Sequence, residues 1–364
     1  MFVKYIQCEE CGQRFSKRVT RYLCGCGGVV RIMYDYRGLR KAVSWKKLRD
    51  RPFGHYRYKE FFPNTRNVVS LDEGGTALVK SKLKSSVYFK LESQNPSGSF
   101  KDRGTTCEIS HALDARAKKV VCASTGNMGA SVSSYSARAG LDCTIVLPAY
   151  ATGEKIQQIK NYGARLRKLK GDYTVAMHNA YESYRKGEAY LVGDYAYRGE
   201  GEKSVGFEIM DELTPDYIVC PIGNGTLLSA TWRGLQEIKL AGLVKKLPKI
   251  IGVQAKGCSP VVKAWKTGKP VKPVLPKTIA GAIACGDPID GEQVVRSVKA
   301  SKGKLIAVTD KEIVQARRKL AREEGIDGEP SGVVSYAGLG KLKLGKKKAV
   351  CIVSGNGLKD LKHV

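Results

Sequence analysis

The sequence predicts an α/β protein: two doubly wound domains built on parallel sheets, behind a small N-terminal segment resembling a zinc ribbon. Three observations predict it. From about residue 86 onward, short apolar runs of strand length alternate with stretches of helical spacing. Glycine- and asparagine-rich turns follow three of those runs, at strand ends where open α/β sheets bind ligands. The first 30 residues carry two close cysteine pairs and are too few to build a core of their own.

The elements follow in order. "SSVYFKLE" (85–92) is a strand, "DRGTTCEISHALDARAKK" (102–119) a helix, "VVCAST" (120–125) a strand and "NMGASVSSYSARAG" (127–140) a helix of small residues. Strand "DCTIVLP" (142–148), helix "GEKIQQIKNYG" (153–163), strand "ARLRKLK" (164–170), helix "DYTVAMHNAYESYRKG" (172–187) and strand "AYLVG" (189–193) continue the alternation. Helix "KSVGFEIMDEL" (203–213), strand "DYIVCPIG" (216–223), helix "TLLSATWRGLQEI" (226–238) and strand "KIIGVQA" (249–255) come next. Residues 257–303 hold several prolines and read as connections. Strand "KLIAVTD" (304–310), helix "KEIVQARRKLAREEG" (311–325) and strand "KAVCIVSG" (348–355) complete the pattern.

Composition bounds the function. The 364 residues suffice for two or three compact units. No apolar run is long enough to span a bilayer, and "MFVKYIQCEE" lacks the regions of a signal peptide, so a cytoplasmic protein is expected. The net charge of +29 favours anionic partners: nucleic acid, acidic membrane or a phosphorylated metabolite. The charge is dispersed along the chain, as on a solvated basic surface. Basic and aromatic residues do not interleave as on a stacking surface for nucleic acid.

The chain has 11 cysteines, an odd number that does not suggest a disulfide framework. Cys107, Cys122, Cys143, Cys220, Cys258, Cys285 and Cys351 are scattered, several in apolar runs, and read as small buried hydrophobes. Cys8 and Cys11 in "CEEC", with Cys24 and Cys26 in "CGCGG", can close a tetrahedral zinc site. The stretch between them, "GQRFSKRVTRYL", reads as a short hairpin. The second pair is C-x-C, so a metal-free ribbon or a redox dithiol stays open as a reading.

The chemistry sits after the strands. "GNGTLL" opens a helix, and its glycines let backbone N–H groups face a phosphate. "STGNMG" precedes another helix; Ser124 and Thr125 can hold a carboxylate or simply cap the helix. "NPSGSFKDRG" sets Lys101 at the mouth of a helix, and a lysine beside a phosphate cradle suggests a Schiff base with a phosphorylated aldehyde. Together with "YRGEGEKSVGFEI", "IACGDP", "EPSG" and the ending "SGNGLKD", the set resembles the fold-type II pyridoxal-phosphate enzymes, and within them the threonine synthases.

The resemblance implies pyridoxal 5'-phosphate as cofactor and O-phospho-L-homoserine as substrate, converted with water to L-threonine and phosphate. It makes Lys101 the imine-forming amine and acid–base catalyst, and puts Asn127 on the cofactor's 3-hydroxyl. Gly223, Asn224, Gly225, Thr226 and Leu227 would hold its phosphate, and Ser354 would face the pyridine nitrogen. Ser124 and Thr125 would bind the substrate carboxylate, Arg198 with Lys203 the substrate phosphate, and Glu329 and Pro330 would border the site. It also implies a homodimer, a large domain over 31–108 and 195–364, and a small inserted domain over 109–194. Tyr195, Met128 and Ser354 depart from residues frequent in threonine synthases. They keep two related activities open, cysteate synthesis from O-phosphoserine and sulfite, and threonine dehydration. A zinc-ribbon nucleic-acid binder with an inactive enzyme body is the reading from a different class.

Overall fold

The alternating apolar runs form two parallel sheets because helices cover both faces of each, so their strands show little polar alternation. The structure, a computed structural model, describes residues 2–16, 23–63, 65–149, 151, 153–171, 173–193 and 196–361. At the N-terminus, β1 (Val3–Cys8), β2 (Arg14–Phe15) and β3 (Val30–Tyr34) make an antiparallel sheet in the order β2-β1-β3. The hairpin expected over 12–23 is only partly visible: β2 pairs with β1, and 17–22 lie outside the described residues.

Next come α1 (Tyr36–Ala42), α2 (Trp45–Arg49), a 3-10 segment over His55–Phe61, β4 (Leu78–Lys80), β5 (Val87–Leu91) and α3 (Lys101–Asp114). A smaller sheet follows, from β6 (Lys119–Ala123), α4 (Asn127–Arg138), β7 (Asp142–Pro148), α5 (Glu154–Asn161), β8 (Arg165–Leu169), α6 (Tyr173–Arg185) and β9 (Tyr190–Leu191). Its strands are all parallel, in the order β8-β7-β6-β9. The chain returns through α7 (Ala196–Glu202), α8 (Ser204–Glu212), β10 (Tyr217–Pro221), α9 (Thr226–Leu240) and β11 (Lys249–Ala255). It ends with α10 (Pro260–Thr267), α11 (Gly291–Ala300), β12 (Lys304–Val308), α12 (Asp310–Glu324), α13 (Pro330–Leu339) and β13 (Ala349–Val353). The larger sheet has the order β12-β11-β10-β13-β5-β4 and is parallel except at its β4 edge.

Two helices interrupt the stretch expected to be mere connection. α10 begins on Pro260, whose missing N–H costs nothing in a first helical turn, and it buries Val261, Val262 and Ala264. α11 buries Val294 and Val298 one turn apart against the core. β13, the last strand, is buried at every position and lies between β10 and β5. The C-terminal turn therefore falls in the middle of the sheet.

A buried imidazole makes this fold acid-sensitive. His55 stacks on Phe62 at 4.2 Å, and its Nδ1 lies 3.0 Å from Ser204 Oγ. Burial, with Arg103 close by, pushes its pKa down to about 3. The unfolded chain titrates at about 6.5. Between these values only the unfolded state binds the proton, so stability falls as pH drops through that window. From pH of about 6.5 to about 4 the expected loss from this group is about 3 kcal/mol. Urea unfolding at both pH values should show His55→Gln losing about that much less than the wild type. Equal losses would contradict the assignment.

Candidate active site

Four loops leave the carboxyl ends of β5, β6, β10 and β13, and they carry the residues singled out by the motifs. The lysine loop is stitched directly to the C-terminal turn. Phe100 N–H donates to Ser354 O at 3.1 Å, and Asn356 N–H donates to Gly98 O at 2.9 Å. Lys101, the first residue of α3, is thus held beside Ser354 and Gly355. Its Nζ lies 3.6 Å from Glu202 Oε1 and 4.7 Å from the Phe100 ring centroid.

Glu202 reaches Lys101 because α3 and α7 cross at two glycines. A Cβ on Gly201 would sit 1.8 Å from Arg103 O, and one on Gly104 would sit 2.6 Å from Arg198 Cγ. The sequence reading missed Glu202, although it stands inside the quoted "YRGEGEK"; its signal is a charged residue directly after the second of two closely spaced glycines.

Asn127 opens α4 and faces the same point. Its Nδ2 donates to Glu329 Oε1 at 2.5 Å, and a Cβ on Gly355 would lie 3.2 Å from that Nδ2. Asn127 Oδ1 and Ser99 Oγ are buried and find no hydrogen-bond partner among the described residues. Glu329 is buried and also pairs with Lys155 at 2.7 Å. Ser124 Oγ accepts from Gly126 N–H at 3.2 Å and Gly129 N–H at 3.0 Å, so it caps this turn, while Thr125 is exposed.

The glycine turn lies past β10, two strands from β5 in the sheet. At about 4.8 Å per strand the two ends are roughly 10 Å apart, a span that one small cofactor and a lysine side chain bridge. Gly225 has φ of +102° and precedes α9, whose first N–H groups are free of helical partners. A Cβ on Gly223 would lie 3.0 Å from Ile283 Cα. The turn is a backbone cradle open to an anion at a helix start.

The two cations expected on the substrate phosphate are both fully buried. Arg198 Nε donates to Gly193 O at 3.0 Å, Nη1 to Lys101 O at 3.2 Å and Nη2 to Thr105 Oγ1 at 3.2 Å, and it pairs with Glu108. It lies one shell behind Lys101 and approaches the same Glu202 oxygen, at 3.8 Å. Lys203 is turned away. Its Nζ contacts Glu200 Oε2 at 2.6 Å and Glu237 Oε2 at 2.7 Å, under the Tyr34 ring at 4.3 Å. In this structure these partners take up the ammonium, and Lys203 bridges β3, α7 and α9.

Polar groups missed in the sequence support the loop. Asp102 accepts from Ser97 N–H, Ser97 Oγ and Ser131 Oγ, each at 2.6 Å. Burial nevertheless pushes its carboxyl up to about 6. Lys359 Nζ donates to Ser97 O at 2.8 Å and to Gln158 Oε1 at 2.5 Å, and burial lowers its pKa to about 8.

The four N-terminal cysteines come together, with all four sulfurs within 4.8 Å of one another. Cys8 to Cys26 and Cys11 to Cys24 both measure 3.6 Å. A zinc tetrahedron with bonds of about 2.3 Å has sulfur–sulfur edges of about 3.8 Å, so the donor set fits that ion. Burial would raise the Cys8 thiol, but the Cys11 and Glu10 amides outweigh it and bring it down to about 7.

Known proteins resemble this chain over nearly its whole length. The family described as pyridoxal-phosphate dependent enzyme matches residues 69–355. The chain belongs to that family. A threonine synthase of Methanocaldococcus jannaschii is 40% identical, over 97% of this chain and 92% of its own. A threonine synthase of Methanosarcina acetivorans is 37% identical, over 98% of this chain and 92% of its own. The solved structure of maize serine racemase shares the fold, with a TM-score of 0.69 and 24% identity over 78% of this chain and 88% of its own.

The residues present fit the family's cofactor. An amine at the Lys101 position and an unsatisfied buried amide oxygen at Asn127 lie at the Ser354–Gly355 turn, and the glycine cradle opens past β10, two strands from β5. Gly225→Ala tests the cradle. Its Cβ would meet Val294 Cγ2 at 2.7 Å, at a φ that L-residues adopt at a cost of roughly 1–2 kcal/mol. Apoprotein titrated with pyridoxal phosphate should bind it about tenfold more weakly than wild type. Unchanged affinity would place the phosphate elsewhere.

Proposed function

We propose that this protein converts O-phospho-L-homoserine and water to L-threonine and phosphate. The observation that carries the cofactor chemistry is the stitching of the Lys101 loop to the Ser354 turn, with Asn127 alongside. The choice of substrate rests on the two threonine synthases, each matched over nearly the whole chain.

Pyridoxal phosphate, when bound, supplies an aldehyde that links to an amine and a ring that takes up the electron pair left at Cα. Its phosphate is assigned to the amides of Gly223, Asn224, Gly225, Thr226 and Leu227, and its 3-hydroxyl to Asn127. Ser354 is assigned to the pyridine nitrogen; a neutral hydroxyl there does not force the nitrogen to carry a proton, as a carboxylate would. The substrate carboxylate is assigned to Ser124, Thr125 and the free amides at the start of α4. Arg198 is assigned to the substrate phosphate, from its place directly behind Lys101.

Lys101 Nζ moves the protons. It takes one from Cα and one from Cβ as phosphate leaves Cγ. It returns one to Cγ, and one to Cα after water has supplied the hydroxyl at Cβ; the water's second proton passes to the released phosphate. One amine can serve all four transfers if its pKa suits both directions. The carboxylate of Glu202 lies 3.6 Å from that amine. A homodimer in the cytoplasm and a small domain over 109–194 complete this reading. Among the described residues, no helix is long and apolar enough to cross a membrane.

The test is a product assay with purified holoenzyme. O-phosphohomoserine should yield threonine and phosphate in equal amounts, while O-phosphoserine with sulfite should yield no cysteate and threonine should not be dehydrated. Cysteate formation, or deamination of threonine as the main reaction, would overturn the substrate assignment.

A further inference from the structure

The cysteine cluster and the glycine turn are joined by a chain of polar contacts. The two residues between the first cysteine pair are Glu9 and Glu10; Glu10 reaches α11 and Glu9 reaches Arg31 of β3. Glu10 Oε1 pairs directly with Arg296 of α11 at 2.6 Å. Glu9 Oε1 lies 3.3 Å from Arg31 Nε, and Arg31 Nη2 donates to Asp290 Oδ1 at 3.0 Å. Arg31 is 5% exposed and Asp290 1%, so this pair is shielded from solvent screening.

Asp290 sits just before α11 and against the turn itself. Its N–H donates to Asn224 O at 3.1 Å, and its Oδ2 accepts from Ser229 Oγ, in the first turn of α9, at 3.2 Å. A Cβ on Gly225 would lie 3.0 Å from the Asp290 Cβ. Asp290 therefore buttresses the backbone of the cradle, and Arg31 fixes Asp290. The second oxygen of Glu9 is buried without a hydrogen-bond partner among the described residues. The glutamate is oriented by its loop and by its ion pair with Arg31.

We propose that Arg31 and Asp290 are positioning residues for the cofactor phosphate turn, and that metal binding at Cys8, Cys11, Cys24 and Cys26 raises cofactor affinity through them. A metal ion locks the Cys8–Cys11 loop and with it Glu9 and Glu10. Without the ion, four thiols do not fix that loop, Arg31 loses an anchored partner, and the turn loses its buttress. Coupling of this kind is reciprocal: bound pyridoxal phosphate must tighten the metal site by the same factor. The inference uses the family's cofactor and does not depend on which amino acid is the substrate.

The experiment is a binding cycle on full-length protein, with pyridoxal phosphate affinity read by absorbance and metal content by elemental analysis. Wild type stripped of metal by a strong chelator should bind pyridoxal phosphate about tenfold more weakly, within the usual range for coupled sites. Arg31→Met with its metal retained should be weakened to a similar extent, and chelation should weaken it no further. Arg31→Lys, which keeps the charge but not the two-pronged geometry, should fall between. If chelation unfolds the ribbon, Cys11→Ser with Cys26→Ser, the two exposed cysteines, gives the metal-free arm. Wild-type affinity in metal-loaded Arg31→Met, or equal affinity with and without metal in the wild type, would overturn the proposal. Both results are independent of the product assay.

Discussion

Lys101→Ala is expected to abolish the visible absorbance of the bound cofactor and to lower turnover at least about 10⁴-fold. The size follows from the number of tasks placed on one side chain. The amine both anchors the cofactor and moves every proton in the proposed reaction, so its loss is not shared among neighbours. The other lysines close to the site cannot take over. Lys155 is paired with Glu329 at 2.7 Å, and Lys359 is held by Ser97 O and Gln158 on the far side of the lysine loop. The variant should still fold, because Lys101 stands at a helix start and alanine is compatible with that position. Spectra of the purified variant, with and without added pyridoxal phosphate, check the first claim, and single-turnover phosphate release checks the second. An active variant with an unbleached spectrum would remove Lys101 from the chemistry.

The largest effect on stability is expected from Arg103→Met. The Arg103 guanidinium is fully buried and contacts Glu92 at 2.6 and 2.7 Å and Glu208 at 2.7 and 2.8 Å. It also donates to Ser204 Oγ at 3.0 Å and Thr76 Oγ1 at 3.3 Å. Burial alone would raise the Glu208 carboxyl, yet Arg103 and Lys90 hold it well below the usual range. Without Arg103, two buried carboxylates face each other with only Lys90 to offset them, at 2.8 Å from Glu208. Removing one partner of such a network costs about 3–5 kcal/mol. Domains are typically stable by about 5–15 kcal/mol, so a third or more is at stake. Urea unfolding should show a lower midpoint at unchanged slope. A midpoint within error of wild type would mean that the network adds nothing.

The alternation that predicts the sheets was legible because it is local: β5 to β13, apart from the charged edge strand β8, rest on apolar runs whose burial needs only helices on either face. The N-terminal cysteines were legible for the same reason, as ligand spacing is a property of short loops. What escaped depends on distant partners. α7 has two glycines and three charged residues in seven, a poor local helix. It forms because Gly201 lets its backbone press on Arg103 O, which nothing in the segment announces. α13 is buried at most positions, from its first residue Pro330 onward, so it shows no amphipathic period. Lys203 reads as a ligand cation beside Arg198, and its buried contacts with Glu200 and Glu237 have no signal in the sequence. Arg31 and Asp290 are 259 residues apart, and no motif joins them.

The most direct test of the central claim is chemical. Borohydride reduction of the holoenzyme, followed by peptide mass mapping, freezes the cofactor on whichever amine carries it. The pyridoxyl group should be found on Lys101, in the peptide spanning Phe100–Lys101–Asp102, and reduced protein should be inactive. Label on Lys155, Lys203 or Lys359 instead, or no label with full activity retained, would contradict it.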